Sequence, residues 1–228
     1  MLPFVQKQRQ PLLRPNGRLL KNKLLCDIGN TNFSFSNGTK VSVENFDITS
    51  IHEKIYYISV NAYWEKRLSM EENWINIRSF IDFSKYYESM GIDRIMVCEA
   101  LANAVVIDAG SAITVDVIKN EKHEGGYIYP GLAAMAKCFK DISPALEVSF
   151  NFDIDLDKMP KNTQDALSYG ALAPLLSNLR EITQDLPVLL TGGDAPRFLP
   201  LIPNAKIDND LVFKGMKKIL EKTKEKQC

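Results

Sequence analysis

Three aspartates and one arginine carry the chemistry this chain could do. Asp27 and Asp108 each follow a short apolar run and precede a tight small-residue turn. Around Asp108 the chain reads Ala-Val-Val-Ile-Asp-Ala-Gly-Ser-Ala-Ile-Thr-Val-Asp-Val-Ile, from Ala104 to Ile118. An apolar strand, a turn and a β-branched strand together make a hairpin signature. Gly110 lets backbone approach a ligand, and Ser111 offers a hydroxyl and an N–H at the same tip. Around Asp27, Leu24–Phe35 repeats the design, so that Gly29 matches Gly110 and Asn30 matches Ser111. A lone Asp-x-Gly is an ordinary turn. Two copies in matching context predict a duplicated unit whose two hairpins face phosphate across a cleft.

The third aspartate, Asp93, stands beside Arg94 in Gly91-Ile-Asp-Arg, just ahead of an apolar segment from Ile95 to Ala102 that suits a helix. A helix N-terminus attracts anions through its unpaired N–H groups. The same placement fits a plain capping aspartate beside a surface arginine. Position alone leaves both readings open.

Strands are predicted at Lys40–Val43, Ile55–Val60, Tyr127–Tyr129 and Pro187–Leu190, and helices at Asn61–Met70, Leu132–Phe139 and Asp210–Lys224. A further helix begins at Asn162–Thr163 and carries a broad apolar face despite Pro174. Glu121–Gly126 reads as a polar turn. The Pro187 strand runs into Gly192 and Gly193, a place where a nucleotide could lie against backbone, or a simple turn. The aromatics of residues 71–90 read as packing residues, and the two histidines, His52 and His123, as surface or turn residues.

With 28 basic and 28 acidic residues the formal charge is zero, so no global field favours nucleic acid or an anionic membrane. No apolar run is long enough to span a bilayer. The four cysteines are scattered without metal-ligand spacing, which fits a reducing cytoplasm and argues against zinc. Residues 1–23 are basic, without an acidic residue, and read as a flexible leader. Its sparse aromatics give little support to a nucleic-acid arm.

Asp-x-Gly-Asn-Thr, Gly-x-Asp-Arg, Asp-x-Gly-Ser-Ala-x-Thr, Asn-Thr-x-x-Ala-x-x-x-Gly and Thr-Gly-Gly-Asp-Ala occur in that order. The ordered set resembles the type III pantothenate kinases of the actin/hexokinase/Hsp70-like ATPase superfamily, from about residue 24 onward. The resemblance implies an α/β fold of two ribonuclease-H-like halves, with mixed sheets flanked by helices, here divided as 24–107 and 108–228. It implies phosphorylation of pantothenate by ATP, the first step of coenzyme A biosynthesis. It also implies magnesium, an activating monovalent cation (potassium or ammonium), and a cytoplasmic homodimer with active sites near the interface.

Carried over by residue, the resemblance makes Asp27, Ile28, Gly29, Asn30, Thr31, Asn32, Phe33 and Ser34 the first phosphate hairpin, with Asp27 holding magnesium. Gly91, Ile92, Asp93 and Arg94 become the pantothenate segment, Asp93 taking the proton of the substrate hydroxyl and Arg94 holding a substrate or phosphoryl oxygen. Asp108 becomes the monovalent-cation ligand, Ser111, Gly192 and Gly193 ATP contacts, and Thr163 a pantothenate contact. Tyr87 fits the substrate-facing aromatic best, with Tyr86 the alternative. Ser111 stands where threonine is frequent, and the spacing from Asp93 to Asp108 is short. Another acceptor such as a sugar, or a nucleotide-binding regulator without transferase activity, are the competing readings.

Overall fold

The computed structural model describes residues 23–183 and 185–225. The basic leader lies outside the described residues except for Lys23. Two five-stranded sheets form the framework. The first is built from β1 (Leu24–Ile28), β2 (Asn32–Phe35), β3 (Lys40–Ser42), β4 (Ile55–Ser59) and β5 (Trp74–Asn76). The second is built from β6 (Ala104–Ala109), β7 (Ala112–Lys119), β8 (Lys122–Pro130), β9 (Val188–Thr191) and β10 (Lys206–Ile207).

The sheets share one topology. The first runs β3-β2-β1-β4-β5, and the second, read the same way, runs β8-β7-β6-β9-β10. In each, the first three strands are antiparallel neighbours and the last two join in parallel. The duplication legible in the two hairpins therefore extends over both sheets. Because β6 belongs to the second sheet, the passage between halves comes before Ala104, not at the 107/108 division expected from the sequence.

The helices are α1 (Ala62–Leu68), α2 (Ile92–Ala100), α3 (Leu132–Ile142), α4 (Thr163–Ile182), the short α5 (Ala195–Phe198) and α6 (Leu211–Glu225). Asn61 and Asn162 cap α1 and α4, each accepting from a backbone N–H in the first turn. Helix α2 starts at Ile92, earlier than expected, so Asp93 and Arg94 lie inside its first turn. The cap position is Gly91, which offers no side chain.

Strand β8 corrects the expected turn at 121–126. The turn is only Asn120–Glu121, both with positive φ (53° and 60°), and the strand begins at Lys122. A two-residue turn of this hand matches the twist of a hairpin.

Three apolar clusters hold the halves. One lies in the first half, where Phe33 stacks on Phe46 (3.8 Å between ring centres) beside Trp64 and Trp74. Another, in the second half, gathers Ile107, Val115, Leu172 and Phe198. The third joins the halves: Leu25 and Ile58 meet Met96, Val106, Met216 and Ile219. Helices α2 and α6 cross inside it. A Cβ on Gly215 would overlap the backbone carbonyl of Met96, so glycine permits the crossing at this depth.

Candidate functional site

Asp27 is the penultimate residue of β1 and Asp108 the penultimate residue of β6. Central strands joined to a parallel neighbour are buried on both faces, and in β6 every residue is buried except Asp108, which is half-exposed. Asp27 lies opposite Ser34, and Asp108 opposite Thr114, across each hairpin. The turns are tight: the Gly29 N–H donates to the Asn32 carbonyl (3.0 Å) and the Gly110 N–H to the Ala112 carbonyl (3.0 Å). Asn30, Thr31 and Ser111 are exposed at the two tips.

Asp93 joins these two from the first turn of α2, where the helix dipole favours a negative charge. Its carboxylate accepts from the Arg94 N–H (2.8 Å). Burial raises all three carboxylates, and the charge of Asp93 adds to it at Asp27 and at Asp108. Burial, then Asp93 and Asp108, push Asp27 up to about 7, while Lys40 pulls the other way. Burial, then Asp93 and Asp116, push Asp108 up to about 6. Burial also lifts Asp93, against the pull of Arg94. Half-buried carboxylate oxygens that repel one another are a donor set for hard cations, which take oxygen ligands. Asp27 and Asp108 each offer carboxylate oxygen, the ligand that magnesium and other hard cations take.

Glycines shape the cluster. Gly192 takes φ of +89°, and a Cβ there would overlap the Asp108 carboxylate and the Ala109 backbone. Gly193 has open space around it, enough for a ligand to lie on backbone. At Gly91 a Cβ would come 2.5 Å from the Asp93 Oδ1. The flexible tip of Asp93 must then swing aside. Gly91→Ala is expected to leave Tm within a few degrees yet lower turnover roughly 10- to 100-fold, because a misplacement near 1 Å costs about that much. Steady-state kinetics beside a melting curve checks this; full activity in the variant would mean that the Asp93 position is not critical.

Not every expected residue contributes a side chain. Ile28, Phe33 and Ile92 are core residues and can offer a ligand only backbone. Arg94 is buried, and two N–H groups of its fork are taken by Asp116: Nε donates to Oδ2 (2.9 Å) and Nη2 to Oδ1 (2.6 Å). Its Nη1 donates to the Tyr87 hydroxyl (2.6 Å). Tyr87 is half-exposed, whereas Tyr86 turns to Glu99 (2.9 Å). The geometry thus joins Tyr87, not Tyr86, to Arg94. Thr163 is exposed at the start of α4, and no hydrogen bond among the described residues ties it to the three aspartates.

Three residues of this neighbourhood escaped the sequence reading. Lys40 lies in the cross-strand row Asp27–Ser34–Lys40, whose members share one face of the sheet. Asp116 is almost fully buried. His123, expected at a surface or turn, has a buried side chain whose Nε2 lies 2.8 Å from Asp116 Oδ1. The signal for Asp116 was an acidic residue inside a β-branched run, which demands a partner.

Residues 37–185 match the family model of type III pantothenate kinases. The chain is 50% identical to the type III pantothenate kinase of Sulfurimonas denitrificans, over 87% of this chain and 98% of that one. It is 40% identical to that of Wolinella succinogenes, over 89% and 98%. A Campylobacter jejuni crystal structure, of a protein assigned to the Baf family of transcriptional activators, superposes with a TM-score of 0.81. The two share 38% identity over 89% of this chain and 99% of that one. A Sinorhizobium meliloti structure described as a 2-dehydro-3-deoxygalactonokinase superposes at 0.51 over 89% and 99%. At 9% identity, that likeness speaks to the fold alone.

Proposed function

The chain belongs to the type III pantothenate kinases, which phosphorylate pantothenate with ATP in coenzyme A biosynthesis, and we propose that it performs this transfer among Asp27, Asp93 and Asp108. One observation carries the assignment: partly buried carboxylates from three separate elements lie close enough to interact, Asp93 with both Asp27 and Asp108, and each is raised above the ordinary range.

Phosphoryl transfer needs charge neutralisation and in-line positioning more than covalent help. The two hairpin tips present Gly29–Thr31 and Gly110–Ser111 to the phosphates, and Lys40 faces them from the row beside Asp27. Gly193 leaves room for the nucleoside. Asp93 takes the proton of the pantothenate hydroxyl, and its raised affinity for protons suits a base working near neutrality. Tyr87 and the outer edge of Arg94 hold the substrate. Asp27 would hold magnesium and Asp108 the potassium or ammonium ion. When bound, these cations neutralise charge on the transferring phosphoryl group.

The protein acts as a cytoplasmic homodimer. Thr163, which no hydrogen bond among the described residues ties to the aspartates, serves the partner subunit's site. Exposed apolar side chains on β8 and at the end of α3, Ile128 and Ile142, support such a contact face. The described helices include none long and apolar enough to cross a membrane.

The test is a coupled assay of ADP with ATP, magnesium and pantothenate, run in parallel with potassium and with sodium. ADP that requires pantothenate and rises with potassium is the expected result. Folded protein that forms no pantothenate-dependent ADP would overturn the assignment. Equal rates in the two salts would remove the role given to Asp108.

A further inference from the structure

Around Arg94, four elements converge on one buried carboxylate. Asp116 comes from the middle of β7, Arg94 from α2, His123 from β8, and Tyr87 from the segment before α2. Both Asp116 oxygens are engaged by the Arg94 fork, and Oδ1 also meets His123 Nε2. An ionised carboxylate only accepts, so Nε2 carries the proton and donates. Strand β8 makes room for this pair. Gly126 lies opposite Asp116, and a Cβ there would come 2.7 Å from Asp116 Oδ1 and 2.9 Å from Arg94 Nη2. The Cys98 thiol is also near: ligand atoms of Cys98, Asp116 and His123 lie within 4.8 Å of one another. With both carboxylate oxygens already taken by the guanidinium, this is a hydrogen-bond network rather than a metal centre.

Of the five guanidinium N–H groups, two go to Asp116 and one to Tyr87. Among the described residues no hydrogen bond takes the other two. Because Tyr87 accepts from Arg94, its own O–H is left to donate. Arg94 is buried and Tyr87 half-exposed, so the Tyr87 hydroxyl is the donor this network offers to the acceptor oxygens of an acid or amide.

We propose that Asp116, braced by His123, is a positioning residue for the transfer: it fixes the Arg94 fork, and through it the Tyr87 hydroxyl, in the orientation that receives pantothenate. The proposal rests on the reading that Arg94 and Tyr87 face the substrate. Asp116 itself touches neither substrate nor phosphate. A bidentate arginine–carboxylate pair is geometrically demanding, which makes Asp116 the member that sets the angle.

The test is a mutant cycle on purified full-length protein, with KM for pantothenate, KM for ATP, kcat and Tm as readouts. Asp116→Asn keeps the shape and removes the charge. It is expected to raise KM for pantothenate roughly 10-fold or more and to leave KM for ATP within about 2-fold, the loss expected of a buried charged hydrogen bond. Asp116→Glu recovers part of that loss. Because Asp116 works through Arg94, the double variant Arg94→Gln/Asp116→Asn should be no worse than Arg94→Gln alone. Losses that multiply in the double variant, or that weaken ATP and pantothenate equally, would overturn the proposal. So would an Asp116→Asn enzyme with unchanged kinetics.

Removing one partner of a buried ion pair can prevent folding. In that case Asp116→Glu, which keeps the charge and displaces the carboxylate, decides alone: a raised KM for pantothenate with KM for ATP unchanged supports the proposal, and unchanged kinetics sink it. Failure of the functional reading looks different, because wild-type protein would then show no pantothenate-dependent turnover.

Discussion

Asp93→Asn is expected to lower kcat roughly 100-fold or more while the protein stays folded, the usual size of a general-base contribution. Asparagine matches the shape of aspartate and keeps an oxygen for the Arg94 N–H, so the first turn of α2 has no cause to move. What it loses is the ability to take a proton. KM for ATP should change little, because the hairpin tips and Gly193 belong to other elements. The substitution also removes a charge that pushes up both Asp27 and Asp108. Both should then ionise at lower pH, and the ligand-free protein should melt no earlier than wild type. Steady-state kinetics with a thermal melt checks both halves of the claim. An Asp93→Asn enzyme of near-normal turnover would mean that another group receives the proton.

The second large effect is expected from Gly215→Ala. The new methyl would enter the space of the Met96 carbonyl, which is backbone in the middle of α2 and cannot swing away as a side chain tip does. Helices α2 and α6 must separate, inside the cluster that joins the two halves. Overpacking of this kind costs about 1–3 kcal/mol and occasionally more. For a chain of this size that corresponds to a Tm lower by about 2–12 °C. Since α2 also carries Asp93 and Arg94, turnover should fall as well. Calorimetry settles the point: an unchanged Tm would mean that α2 and α6 do not meet tightly at Gly215.

The parts of the site that could be read from the sequence are those built from adjacent residues. Apolar run, aspartate, glycine and β-branched run are local patterns, and both hairpins follow from them. Asp116 and His123 were opaque for the opposite reason. Their partner Arg94 sits on a different element, and burial of a charge depends on that partner rather than on its neighbours in sequence. Strand β8 was shortened in the sequence reading because Lys122–Gly126 is polar and glycine-rich. It is a strand because β7 supplies its hydrogen bonds, and because Gly126 must pass the Arg94–Asp116 pair. The early start of α2 was hidden because Gly91 caps it without a side-chain signal.

The crossing of α6 over α2 also sets the order of events during synthesis. Leu25, Ile58 and Met96 in the first half bury their apolar surface against Met216 and Ile219. Until residues 211–225 have left the ribosome, the nascent first half carries an uncovered greasy flank. Its own sheet can assemble, and Val106 and Ile118 arrive earlier, but Met216 and Ile219 complete the cluster last. Sequence-distant closure of this sort slows folding and leaves apolar surface open to misassembly meanwhile. The nascent chain is therefore a natural client for chaperones up to the moment α6 docks.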